Sequence, residues 1–310
     1  MRVGIGLPTM LAGADRSLVL EWARRADAGG VSTLSTGELL TTASYDAIVA
    51  LSAVAAVTER ARLMTNVLVV PLHNAGILAK QAATLDNLSL GRLTLGVGVG
   101  GRKPILYELT SDPLAHANYP DFASAPAPYE GRAARCEEQV AYMQRIWRGE
   151  SPMDGVPPIG PAPVRPGGPE LLCGSFSPPA MRRAARWADG ITNFDHGADA
   201  AKVGKDFAIA RQAWADAGRT DEPRCVGSFF FALGPRAGVG KEAFLNSHYA
   251  HLSAEGKQRI GATIQTTSAD VVTAALRAFA DVGADEVLLV PMMPALDQVD
   301  RVVELLPIDQ

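Results

Sequence analysis

The chain alternates between two kinds of segment. Short apolar runs that read as buried strands are each followed by a stretch with helical periodicity, and this occurs eight times. The strands are expected at Val3–Leu7, Val31–Ser35, Arg62–Val70, Leu93–Val97, Glu170–Cys173, Gly190–Phe194, Cys225–Leu233 and Glu286–Val290. Between and after them, helices are expected over Leu18–Ala26, Tyr45–Val57, Ala75–Ser89, Gly131–Arg148, Pro179–Ala188, Asp199–Ala217, a region Lys241–Val282 long enough for two or three, and Leu296–Leu306. Asp46 is placed in the first turn of its helix, where negative charge is favoured. Strand–helix units in series give parallel sheets, and eight is the number that closes a barrel. The expectation is therefore one α/β domain over residues 1–310, a (β/α)8 TIM barrel.

Two stretches interrupt the rhythm, one after strand four and one before strand five. Arg102–Pro128 carries Pro104, Pro113, Pro120, Pro126 and Pro128, and Gly149–Pro169 is rich in Pro and Gly. Irregular segments this long inside a compact domain are usually functional. Both are expected on or beside the side of the barrel where the strands end.

With 47% hydrophobic residues the chain can bury a large core, and its formal charge of -4 leaves no basic stripe for nucleic acid. Cys136, Cys173 and Cys225 are odd in number and widely spaced, which suits a reduced cytoplasmic protein rather than a disulfide frame or zinc site. No signal-peptide pattern and no apolar run of about 18 residues occurs, so neither secretion nor membrane insertion is expected. His248-x-x-His251 shares a helical face but has no third ligand nearby, and G-x-S-x-G is absent.

The densest local signal is Thr84–Gly101. Leu85, Leu88 and Leu90 read as the apolar face of a helix end, and Gly91 supplies the positive φ that stops it. Arg92 and a buried strand follow, and the strand runs out into Gly96, Gly98, Gly100 and Gly101. Two readings remain open for these glycines: close approach of backbone to a flat or phosphorylated ligand, or tight packing at a barrel mouth. Pro104 argues against the helix that a dinucleotide fingerprint would open.

In such a barrel ligands meet the carboxyl ends of the strands. Candidates there are Pro8-Thr9, Ser35–Glu38, Asn66-Val67, Gly98–Gly101, Gly174–Ser177, Asn193–His196, Phe231–Leu233 and Pro291–Met293. Ser177 reads as an N-cap before Pro178-Pro179. Free N–H groups and hydroxyls at that helix start would make an anion site, with Arg182 and Arg183 close behind.

The segment ATLDNLSLGRLTLGVGVG resembles the hallmark of the bacterial luciferase-like monooxygenase superfamily, which includes oxidoreductases using the deazaflavin coenzyme F420. PELLCGSFSPPAMRRAARWADG is similar to its second recurring segment, and LSTGE with YDAIVALSAVAAVTERARLMTNV to its N-terminal pattern. GRAARCEEQVAYMQRIWRGE resembles the helix after the large insertion, with Val140, Met143, Ile146 and Trp147 at core spacing.

The resemblance implies a hydride-transferring oxidoreductase with F420 as cofactor and flavin mononucleotide (FMN) as the alternative. It implies a cis peptide at Asn66–Val67 under the cofactor ring, with Thr9, Gly98, Val99, Gly100 and Gly101 around it. Gly174, Ser175, Phe176 and Ser177 would hold the phosphate, and Glu38, Tyr107 and Glu108 are the proton-donor candidates. Partners under this reading are a small-molecule substrate, a second copy in a homodimer, and a reductase for flavin or F420. The competing readings are an FMN-dependent two-component monooxygenase, a non-catalytic flavin binder, and a TIM-barrel lyase or isomerase acting on a phosphorylated substrate.

Overall fold

The computed structural model describes residues 1–100, 120–174, 177–250 and 252–306. Eight parallel strands close into one barrel in sequence order, β8 pairing back onto β1. They are β1 (Arg2–Gly6), β2 (Thr33–Thr36), β3 (Arg62–Val69), β4 (Leu93–Gly98), β5 (Glu170–Gly174), β6 (Gly190–Phe194), β7 (Arg224–Phe231) and β8 (Glu286–Pro291). The helices are α1 (Arg16–Ala28), α2 (Ala47–Ala55), α3 (Ala75–Leu88), α4 (Pro120–Ser124), α5 (Arg132–Trp147), α6 (Pro178–Ala184), α7 (Ala200–Asp216), α8 (Ala237–His248), α9 (Ala254–Thr263), α10 (Ala269–Asp281) and α11 (Asp297–Val303). The barrel expected from the alternation is the one observed. None of the described helices is long and apolar enough to cross a membrane.

Side chains alternate along each strand, one set facing the helices and one facing the barrel interior. Leu63, Leu95, Ile191, Phe229 and Leu289 face outward into the main core, together with Trp22, Phe207 and Trp214 from the helices. Val140, Met143, Ile146 and Trp147 are buried in that core, as their spacing predicts.

The interior is stacked in layers. At the floor, Glu170 pairs with Arg62 at 3.1 Å and with Arg224, which also pairs with fully buried Glu286. Met64, Leu172, Val226 and Leu288 form an apolar layer of their own. Above them lies a polar layer built on Asn66, Thr192 and Ser228.

Several boundaries shift for identifiable reasons. Val31 donates its N–H to Ala26 O at 3.0 Å, closing α1, so β2 starts only at Thr33. β7 stops at Phe231 because the Gln298 amide takes both the N–H and the carbonyl of Leu233, at 2.8 and 2.9 Å. Asp46 is the N-cap of α2 rather than a first-turn residue; its carboxylate accepts from Val49 N at 2.8 Å. Of Leu85, Leu88 and Leu90 only Leu85 is buried; Leu88 and Leu90 are 62% and 85% exposed. Leu90, at φ 56, already lies in the turn that Gly91 completes at φ 81.

Arg92, at the heart of the glycine-rich stretch, is a clamp. Its guanidinium donates to the carbonyls of Ser89, Ala61, Thr58 and Ala55 and to the Thr58 hydroxyl, at 2.8–3.3 Å. It thereby locks the α2–β3 turn to the α3–β4 turn. The 149–169 segment packs on α3, with Ile159 beside Gly76 in the first turn of that helix. It runs down the outside of α3, where Gly160 O accepts from Lys80, Ala162 O from Asn87, and Val164 N donates to Asp86. Residues 101–119 of the other insertion lie outside the described residues, and with them the candidates Gly101, Arg102, Lys103, Tyr107 and Glu108.

Candidate active site at the barrel mouth

Asn66 and Val67 are the only half-buried residues in the upper part of β3, flanked by buried Thr65 and Leu68. Their peptide bond is cis, as the resemblance implies. The Asn66 side chain spans the barrel: Oδ1 accepts from Thr192 Oγ1 on β6 at 2.9 Å, and Nδ2 donates to Ser228 Oγ on β7 at 3.3 Å. Ser228 Oγ in turn donates to Asn193 O at 2.8 Å. This layer is satisfied and rigid before any ligand arrives.

The glycines receive a physical reason here. A Cβ on Gly98 would stand 2.6 Å from Val67 Cγ2, and one on Gly174 would stand 2.8 Å from Val67 Cγ1. On Gly96 it would reach 2.0 Å from Thr65 O and 3.1 Å from Val67 Cγ1. Three glycines from β4 and β5 therefore make the room that the Val67 side chain occupies. Gly100, at φ 79, packs under the Phe122 ring of α4, and Val99 beside it is half-buried.

Glu38 lies past the end of β2 with both carboxylate oxygens engaged. Oε2 accepts from Val69 N at 2.7 Å, and Oε1 meets His73 Nε2 at 2.8 Å. Burial, the largest influence on His73, disfavours its charge, but the hydrogen bond and charge of Glu38 outweigh it and raise His73 above its ordinary value. Thr9 and Thr36 share a buried hydroxyl–hydroxyl bond of 2.6 Å, joining the exits of β1 and β2. Thr41, farther along the β2 loop, donates its N–H and hydroxyl to Asp121 on α4.

The exit of β5 leads into the expected helix start. Ser177 holds the N-cap position of α6, but its side chain makes no capping bond. Pro178 and Pro179 have no N–H, and the N–H groups of Ala180 and Met181 both donate to Ser177 O. The first turn therefore offers no N–H of its own to a ligand. Ser175 and Phe176 lie outside the described residues. Arg183 is paired with Glu137 at 2.5 Å, while Arg182 is exposed.

At β6, Asn193 turns outward to Asp206 on α7 at 2.6 Å, and Asp195 pairs with Lys202 at 2.6 Å. Burial pushes the thiols of Cys136, Cys173 and Cys225 up to about 12, so none serves as a thiolate nucleophile. Among the described residues no group of His, Cys, Asp or Glu could hold a metal ion.

The family model for luciferase-like monooxygenases matches residues 1–289. This chain belongs to the luciferase-like monooxygenase family. It is similar to the F420-dependent glucose-6-phosphate dehydrogenase of Beutenbergia cavernae, 36% identical over 154 residues covering 46% of this chain and 40% of that one. The chain spans less than two thirds of the length of the curated relatives it matches, 61% for uncharacterised proteins of Mycobacterium tuberculosis.

Two solved folds align over nearly its whole length. One is an F420-dependent secondary alcohol dehydrogenase, at TM-score 0.72 and 16% identity, covering 99% of this chain and 98% of that one. The other is the oxygenating constituent of 3,6-diketocamphane monooxygenase from Pseudomonas putida in complex with FMN, at TM-score 0.67 and 18% identity, covering 98% and 95%. The solved folds similar to this chain thus include one F420-dependent enzyme and one in complex with FMN.

Several residues that build the luciferase-like mouth were not singled out from sequence. Thr192 and Ser228 are polar residues at inward positions of apolar strands, each two residues above an interior Gly190 or Val226. That parity was a usable signal. His73 had none, because its partner Glu38 lies on a different loop.

Proposed function

We propose that this chain is an oxidoreductase transferring a hydride between a small organic substrate and coenzyme F420 held in the barrel mouth. The observation that carries this reading is the half-buried Asn66–Val67 pair, backed by Gly96, Gly98 and Gly174 and braced by Thr192 and Ser228. It presents the Val67 side chain and the Asn66 amide, held from below by the buried Thr192 and Ser228 hydroxyls. An uncharged, mostly apolar support suits the flat face of an uncharged tricyclic ring. When bound, the deazaflavin supplies the hydride chemistry at its central ring.

The chain's own residues bind and orient. Thr9, Asn66, Val67 and Gly98–Gly100 would hold the ring, and Gly174, Ser175, Phe176 and Ser177 the phosphate. Because the first turn of α6 has no spare N–H, the phosphate reading rests on the hydroxyls and the backbone of 174–177. A carbonyl or activated-alkene substrate also needs a proton. The Glu38–His73 pair holds one between Oε1 and Nε2, 2.8 Å apart. Tyr107 and Glu108 are the other donor candidates.

The sequence likeness to an F420-dependent dehydrogenase favours F420 over FMN. If FMN is the cofactor instead, a partner reductase must deliver it reduced, and the reaction becomes a monooxygenation. Titration of the purified protein with both cofactors, read by absorbance and fluorescence, decides. F420 should bind with a Kd of about 1 μM or tighter, roughly −8 kcal/mol, and FMN more weakly. Tight FMN binding without detectable F420 binding would overturn the choice.

A further inference from the structure

One storey above the Asn66–Thr192–Ser228 layer, the next inward positions are Phe194 on β6 and Phe230 on β7. At about 3.3 Å per residue they stand roughly 7 Å farther along their strands. The two rings meet edge to face, 4.7 Å between centroids at 70°. His196 packs edge-on against both, at 5.1 and 5.7 Å. Tyr249, just past the end of α8, places its hydroxyl 2.9 Å from His196 Nε2. Phe244 of α8 packs behind Phe230 at 4.8 Å. Phe230 and Phe244 are buried, whereas Phe194, His196 and Tyr249 are half-buried. The cluster is thus packed at its back and accessible at one aromatic ring and one hydrogen-bonded pair.

Burial favours the uncharged form of both groups. Burial holds His196 below its ordinary value, and burial raises the Tyr249 phenol well above its own. The charges that reach His196 are those of Asp195 and Lys202, which are bonded to each other at 2.6 Å. His248 stacks on Phe244 at 4.7 Å and packs edge-on against Tyr249 at 4.8 Å, on the side of the cluster formed by α8. An aromatic wall carrying the His196–Tyr249 hydrogen bond suits a molecule with one polar oxygen. A phosphate or carboxylate placed there would lose water without gaining a countercharge.

We propose that Phe194, His196 and Tyr249 form the substrate subsite of this chain. It takes an uncharged aromatic or alicyclic carbonyl compound, or the corresponding alcohol, with its oxygen on the Tyr249–His196 pair and its hydrocarbon part against Phe194. The proposal rests on the reading of the mouth as a deazaflavin or flavin redox site, which supplies the reason for a carbonyl or alcohol.

The test uses the full chain with acetophenone as the neutral probe, and benzoate and glucose 6-phosphate as anionic probes. Binding is read by ligand-observed NMR and by the 15N shifts of His196. Acetophenone should bind and move the His196 resonances. Tyr249→Phe, which keeps the ring, should weaken it about tenfold, the loss of one hydrogen bond. Phe194→Ala should weaken it by about threefold to tenfold. Both anions should bind at least tenfold more weakly than acetophenone. Unchanged acetophenone affinity in Tyr249→Phe overturns the proposal, as does glucose 6-phosphate binding more tightly than acetophenone. F420 and FMN titrations of the same three proteins separate the two readings. Loss of all cofactor binding in the wild type sinks the redox reading, while the probe affinities still judge the subsite. Intact cofactor binding with unchanged probe affinities sinks the subsite alone.

Discussion

Gly98→Ala tests whether the glycine-rich exit of β4 serves packing or ligand approach. The new Cβ would lie 2.6 Å from Val67 Cγ2. Ordinary carbon contacts are about 3.5–4.0 Å, so Val67 must move by roughly 1 Å. Overpacking of this kind costs about 1–3 kcal/mol. Gly98 does not have a positive φ, so alanine meets no backbone penalty there. Once the Val67 methyls are gone, the next neighbours are Leu68 O and Val67 Cβ, both at 3.6 Å, an ordinary contact. In a Val67→Ala background Gly98→Ala should therefore be close to neutral, or stabilising by about 0.4–1 kcal/mol through the unfolded chain. The assay is a double-mutant cycle in urea, comparing midpoints at constant m, and the expected coupling is about 1–3 kcal/mol. Gly96→Ala is the control, because its clash is with the backbone oxygen of Thr65 and Val67→Ala cannot relieve it. Equal cost of Gly98→Ala with and without the Val67 methyls would refute the packing argument.

Two further predictions concern charge. Arg224→Met leaves Glu286 and Glu170 without their shared cation at the barrel floor and should destabilise by roughly 3–5 kcal/mol in urea unfolding, with Arg224→Met/Glu286→Leu costing less than the single change. His73 and His196 should titrate on opposite sides of 6.5 in NMR. The raised His73 contributes stability that is fully present below 6.5 and lost as pH rises through its folded value, so Glu38→Gln should move its midpoint down. The lowered His196 contributes stability present above 6.5 and lost as pH falls through its folded value. Midpoints in the reverse order would contradict the Glu38 hydrogen bond of His73 and the burial of His196.

The barrel was legible because its signal is repeated and local. Each buried strand is a short apolar run, each helix a periodic one, and eight repeats leave few ways to close. What the sequence hid depended on pairings between distant residues. Gln298 ends β7 from 65 residues away, through a side chain whose preference for the Leu233 backbone no local pattern announces. The 149–169 segment reads as irregular, and its course along α3 rests on hydrogen bonds to Lys80, Asp86 and Asn87, about 80 residues away in sequence, that no local pattern announces. Ser177 read correctly as the start of a helix.

The stretch that most strongly marked the family turned out to act through its neighbours. Arg92 carries a charge, yet its five hydrogen bonds go to four backbone carbonyls and one hydroxyl of two turns. Gly96 and Gly98, together with Gly174, lie against Val67. The polar layer beneath the mouth is built instead by Asn66, Thr192 and Ser228, which come from three strands and form no sequence motif. This follows from barrel geometry: adjacent inward positions on opposite strands meet across the interior, while residues adjacent in sequence point to opposite faces. A glycine-rich motif can therefore mark a site through its packing, because it fixes where a valine from the neighbouring strand must stand.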